Sequence, residues 1–268
     1  MEEEKQNSRQ LLLAASLRAD GDYYKTLDIL HGLDLPDDDE VKEAENKINC
    51  KYVTYLDADY PKALKATRFP PIVLYYYGDL SLVNHEGHAL AVVGSRVTSE
   101  YGANVTARFV KDLCQDYVIV SGLAKGIDAI AHRETIENKG KTIAVLGSGI
   151  DNCYPCENLA LYKEIKEKGL VISEYPNMAT PDANHFPMRN RIISALSRGT
   201  LVTEAGIRSG TLITVNWSLT LSKSVMAIPY PIGRESGCNQ LIKEGAFLVE
   251  SPDEVRYFMQ GLDELKNH

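Results

Sequence analysis

HALAVVGSRVTSEYG, residues 88–102, decides how this chain is read. Residues 88–94 form an apolar run closed by glycine, the length of a strand buried on both faces. An amphipathic stretch over 101–115 follows, and the unit then repeats. YVIVSG (117–122) precedes a helix predicted over 127–138, and KTIAVLGSG (141–149) precedes one over 158–168. GLVISE (169–174), TLVTEA (200–205), SVMAIP (224–229) and AFLVE (246–250) complete the strands. Short apolar runs alternating with helical periodicity specify a parallel sheet covered on both sides, and right-handed crossovers make it doubly wound. The expected class is α/β, a mostly parallel sheet with a small N-terminal helical subdomain.

Upstream the pattern is weaker. Residues 8–33 have helical spacing punctuated by Gly21 and Gly32, and a charged helix is predicted over 39–49. We place the helical subdomain at 1–50 and the sheet domain at 51–268. Pro61 can open a short helix over 61–66, and residues 72–77 read as an edge strand whose tyrosines, Tyr75 to Tyr77, cover a sheet face. Residues 1–60 hold 15 acidic and 7 basic residues, the whole of the net charge of −8. The neutral remainder can still carry a basic groove, because local field attracts phosphate. No run approaches the roughly 20 apolar residues of a membrane span. The start, MEEEKQNSRQ, is polar and acidic, unlike a signal peptide. These features, with five cysteines expected as reduced thiols, predict a cytoplasmic protein. Cys153 and Cys156 form a CxxC, which lacks the second ligand pair a zinc site needs and has little weight as a redox pair.

Parallel sheets bind ligands at the C-terminal ends of their strands. There this chain places Gly94-Ser95-Arg96, Ser121-Gly122 with Lys125-Gly126, Gly147-Ser148-Gly149, Glu174, Glu204-Ala205-Gly206 with Ser209-Gly210-Thr211, and Pro229. Small residues leave amides open to an anion, and Arg96 and Lys125 add charge. GSRVTSEYG is not GxGxxG, which argues against a dinucleotide site, and no GxxxxGK[ST] occurs. Asp128 and His132, at i and i+4, read as a capping Asp with a satisfied His. Glu204 could act as a general base, but no nucleophile matches it. No cofactor and no metal is expected.

HFPMRNRIISALSRGTLVTEAGIRSGTLIT, residues 185–214, concentrates the binding chemistry. Arg189, Arg191, Arg198 and Arg208 offer phosphate forks, Phe186 a stacking face, and Ser209-Gly210-Thr211 a helix start. Phe186 is expected in a loop before Pro187, which opens a helix with Arg189, Asn190 and Arg191 in its first turn. The competing role for each arginine is a salt bridge to Glu174 or Glu204.

With these residues in view, the chain resembles the DprA/Smf family of bacterial DNA-processing proteins. The resemblance is carried by VVGSR (92–96), VSGLAKGIDAIAH (120–132), KTIAVLGSGID (141–151), HFPMRNRIIS (185–194), EAGIRSGTLIT (204–214) and GCNQLIKEGA (237–246). It implies an extended Rossmann-like fold and sequence-independent binding of single-stranded DNA by a homodimer without catalytic activity. It also implies delivery of the strand to the RecA recombinase during natural transformation. Carried over, the DNA pocket falls on Gly94, Ser95, Arg96, Lys125, Phe186, Arg189, Asn190 and Arg191, flanked by Ser209, Gly210 and Thr211. Dimerisation falls on Ile242 and Leu248. Cys156 stands where some relatives have lysine, and Pro229-Tyr230-Pro231 replaces Pro-Gly-Ser. The apolar helix 215–221 lies where relatives could face a recombinase, and the winged-helix domain some members add is not expected. Alternatives of other classes are a nucleoside-monophosphate hydrolase, although AGIRSGT lacks the Pro-Gly-Gly of such loops, and a mononucleotide sensor.

Overall fold

The computed structural model describes residues 2–84, 88–233 and 235–264. Its strands are β1 Lys51–Thr54, β2 Val73–Gly78, β3 Ala89–Gly94, β4 Val118–Ser121, β5 Thr142–Leu146, β6 Leu170–Ser173, β7 Gly199–Glu204, β8 Ser224–Ala227 and β9 Phe247–Leu248. The helices in the first half are α1 Glu2–Arg18, α2 Tyr23–Asp28, α3 Asp38–Glu43, α4 Lys62–Lys65, α5 Glu100–Leu113 and α6 Ile127–Glu137. Those in the second half are α7 Leu159–Lys168, α8 His185–Leu196, α9 Thr211–Thr220, α10 Gly237–Lys243 and α11 Pro252–Glu264. One sheet holds the strands in the order β1-β2-β6-β5-β4-β3-β7-β8-β9. From β6 to β9 every pairing is parallel, while β1–β2 and β2–β6 are antiparallel. The chain is α/β and Rossmann-like, as its alternating pattern predicts.

Alternate residues of the strands feed opposite faces. Leu90, Val92 and Ile119 pack with Phe109 and Val110 of α5 and Ile127 of α6. Ala91, Val93 and Val120 pack with Ile192 and Ile193 of α8 and Val215 of α9. Strands buried on both sides need apolar residues at every position, which is why the runs in the sequence are continuous and not alternating.

The front of the chain departs from expectation in detail. The predicted edge strand, β2, lies one position in, with β1 paired outside it. Tyr75 is accordingly buried, and its hydroxyl bonds Ser16 Oγ of α1 at 3.0 Å. The charged helix is shorter than 39–49: α3 ends at Glu43 and a 3-10 turn, Ala44–Lys47, follows. Leu13 and Ala14 of α1 and Val41 of α3 join the core that Val73, Tyr75 and Val171 form. Gly21 turns the chain between α1 and α2 with φ +76°, and a Cβ there would meet Tyr175 Cα at 2.8 Å. The first helices thus lie against the segment that follows β6.

Candidate functional site

β3 and β7 are neighbours, but the helices after them go to opposite faces: α5 packs with Leu90 and Val92, and α9 with Ala91 and Val93. The two strands stay paired to their ends, where the Ser95 amide donates to Glu204 O at 2.8 Å, and the chain then diverges toward the two helices. A groove of about 580 Å³ opens there. The β3 loop gives it Gly94, Ser95 and Arg96, α8 gives Phe186, Arg189 and Asn190, and the entry to α9 gives Ser209, Gly210 and Thr211. A hollow of about 70 Å³ adjoins it, sharing Arg96, Phe186 and Arg189 and adding Lys125 and Tyr154.

The cations differ in kind. Arg96 is exposed, and its guanidinium lies over the Phe186 ring, 5.4 Å from the centroid. It makes no ion pair among the described residues. Arg189 is 4% exposed and floors both cavities. Its guanidinium packs on Gly122, where a Cβ would fall 2.5 Å from Cζ. Nη1 donates to the carbonyls of Gly122 and Val145, and Nε to Asn190 Oδ1 at 3.0 Å. Burial pulls its pKa down to about 10, with the charge of Asp128 acting against that fall. Asp128 is itself buried, accepts from the Gly122 amide at 3.2 Å, and is pushed up by desolvation. No carboxylate stands within ion-pair distance of Arg189 among the described residues, and its guanidinium is held by two backbone carbonyls and the Asn190 amide oxygen. Lys125 is exposed at the rim and ion-paired to Glu157.

Arg191 does not belong to this set. The sequence places it with Arg189 in a first turn, yet α8 begins at His185, two residues before Pro187, and takes Phe186 into its own first turn. Arg189 and Arg191 follow in the second turn. Residues two apart on a helix point about 200° from one another, so both cannot face one groove. Arg191 turns inward: Nη2 meets Glu174 Oε1 at 2.7 Å with both side chains under 5% exposed, and Nε donates to Phe69 O at 2.9 Å. It lines neither cavity. The salt bridge considered as its alternative is the role the geometry gives it.

Other polar residues near the strand ends are spent on structure. Glu204 accepts from the Ser99 amide at 3.0 Å, at the start of α5, which ties down the carboxylate considered as a general base. His132 is buried, its Nδ1 2.7 Å from Thr142 Oγ1, and burial lowers its pKa to about 3. Ser95 Oγ donates to Val97 O at 2.6 Å and shapes the β3 loop. Ser209 Oγ accepts from the Thr211 amide at 3.2 Å. Cys153 and Cys156 are free thiols, and burial pushes Cys153 up to about 11, away from a reactive thiolate. Sequence reasoning missed Tyr154, 48% exposed, with its ring centroid 5.7 Å from that of Phe186. Its position one turn after Gly147-Ser148-Gly149, at the same sheet edge, was the available signal. Ile242 is half-buried against the core, while Leu248 is exposed on β9 at the sheet's end.

A profile described as "DNA recombination-mediator protein A" matches residues 51–260. The DNA processing protein DprA of Streptococcus pneumoniae is 46% identical over 202 residues, 75% of this chain and 71% of that protein. Protein Smf of Synechocystis is 38% identical over 218 residues, 80% of this chain and 55% of its own length. The X-ray structure of the S. pneumoniae DprA superposes with a TM-score of 0.77 at 39% identity, covering 87% of this chain and 80% of that one. A Helicobacter pylori DprA, described for its single-stranded DNA binding mode, gives 0.71 at 28% identity, covering 82% and 98%.

Proposed function

This chain belongs to the DNA recombination-mediator protein A (DprA/Smf) family, and from that premise we propose that it binds single-stranded DNA without sequence preference in the β3/β7 groove. The observation that carries the reading is the exposed Arg96, without an ion pair among the described residues, lying on Phe186 above the buried Arg189. A cation and a ring at one point serve a phosphate and a base of the same strand. Stacking tolerates every base, and phosphate contacts carry no sequence information. Gly94, Ser95, Asn190, Ser209, Gly210 and Thr211 supply the small and polar walls, and Lys125 a cation released from Glu157 when phosphate arrives. Catalysis forms no part of the proposal.

In this reading the protein works as a homodimer joined around Ile242 and Leu248, protects incoming single strands and loads RecA on them during transformation. The exposed strand β9 at the sheet's end supports that placement of the dimer contact. Among the described residues no helix is long and apolar enough to cross a membrane. An electrophoretic mobility comparison of single- with double-stranded DNA at two salt concentrations tests the central reading. Preference for the single strand, weakening steeply with salt, is the expected result. Equal binding of duplex, or salt-independent binding, would overturn it.

A further inference from the structure

Past the groove, three separate parts of the chain meet in a second aromatic and basic surface. Pro187, in the groove wall, accepts a hydrogen bond from Trp217 Nε1 at 3.2 Å. The Trp217 ring stands edge-on to Phe69 at 6.5 Å, and Phe69 meets Tyr23 at 5.9 Å and Tyr24 at 6.2 Å. The ring contacts therefore run without a break from the groove wall to α2. Arg68 lies over Phe69, 5.1 Å from its centroid, and makes no ion pair among the described residues. Residues 60–78 contain Lys62, Lys65 and Arg68 and no acidic residue. All three basic side chains are exposed.

Anchoring the first helices to the sheet domain explains why Tyr23 and Phe69 are half-buried. It does not explain why Tyr24 is 56% exposed, nor why an exposed guanidinium rests on an aromatic face with no carboxylate near enough to pair among the described residues. That pairing repeats Arg96 on Phe186 in the groove. Asp22 caps α2 through the Lys25 amide at 2.9 Å and keeps its negative charge beside Tyr23. Asp28, one turn after Tyr24, is a second carboxylate on that helix that opposes an anion.

We propose that this surface is a second contact for single-stranded DNA, taking nucleotides that leave the groove past Pro187. Bases stack on Tyr24 and phosphates meet Arg68. The inference rests on the groove reading and extends it from one pocket to a path that uses the N-terminal helices.

The test is fluorescence anisotropy on the full chain with labelled oligothymidines of about six and about twenty nucleotides. Wild type is compared with Tyr24→Ala/Arg68→Ala and with Arg96→Ala. The double variant should lose about 5- to 30-fold in affinity for the long strand and keep wild-type affinity for the short one. Arg96→Ala should weaken both. Wild-type affinity of the double variant for the long strand overturns the inference and leaves the groove reading standing. Failure of wild type to bind either strand overturns both. If Tyr24→Ala disturbs folding, seen as a lowered melting temperature, Arg68→Gln at an exposed position carries the same comparison.

Discussion

Replacing Arg191 by alanine should cost stability and leave DNA affinity unchanged. The side chain is 3% exposed and its partner Glu174 4% exposed, so neither charge reaches water. Alanine would leave a buried carboxylate whose Oε2 already lacks a hydrogen bond, and would remove the side-chain donor to the carbonyl of Phe69. Breaking a buried pair from one side costs about 3–5 kcal/mol. A domain's whole stability is about 5–15 kcal/mol, so the loss is a large share of it. With a urea slope of about 1–3 kcal/mol per molar, the unfolding midpoint should fall by roughly 1–5 M. Trp217 is the only tryptophan and packs against Pro187 of α8, which makes its fluorescence the natural probe. Arg191→Met with Glu174→Leu should recover most of the loss, because an apolar pair of similar size avoids the desolvation of two charges. An unchanged midpoint together with weakened DNA binding would refute the burial argument and return Arg191 to the groove.

Three further outcomes follow from the same geometry. His132 is held near pKa 3 when folded against an ordinary 6.5, so the unfolded chain takes up its proton first. Its contribution to stability is complete above about pH 6.5 and is lost by about 1.4 kcal/mol per unit as pH falls toward 3. The difference in unfolding free energy between wild type and His132→Gln, followed from pH 7 to 4, isolates that slope from the opposing effect of Asp128; parallel curves would exclude it. Glu157→Gln frees Lys125 and should raise affinity for single strands about 2- to 5-fold with a steeper salt dependence; weaker binding in a titration would show that Glu157 helps the ligand instead. Gly122→Ala should lower both stability and affinity, since the new Cβ meets the buried guanidinium of Arg189 and has nowhere to push it. A thermal melt and a binding curve that both match wild type would remove Arg189 from its place on Gly122.

Much of the fold was legible because burial on both faces writes itself as continuous apolar runs. The runs at 117–122 and 169–174 contain β4 and β6 within a residue or two of each end. β1 was not legible: KYVT carries a lysine, a tyrosine and a threonine, as an edge strand half in solvent can. The residues gathered at the strand ends were readable from topology alone, since a parallel sheet puts all those ends on one side. What the sequence could not supply was the rotation of α8. Pro187 suggested a helix start two residues late, and that shift hid the fact that Arg189 and Arg191 point apart. Phe186 likewise belongs to the helix, which fixes its ring under Arg96. Tyr154 was read only as part of a Tyr-Pro turn, because nothing local shows that its ring meets Phe186. The aromatic junction of Tyr24, Phe69 and Trp217 joins residues nearly two hundred positions apart, and no local pattern announces it.

The most direct measurement is the salt dependence of single-stranded DNA affinity for wild type and Arg96→Ala, between about 50 and 200 mM salt. Arg96 is exposed and makes no ion pair among the described residues, so its removal should leave the melting temperature unchanged. It should weaken binding on every sequence and reduce the slope of log affinity against log salt by about 0.7, the signature of one lost phosphate on a single strand. Identical slopes and affinities for the two proteins would contradict the claim that the β3/β7 groove holds the strand.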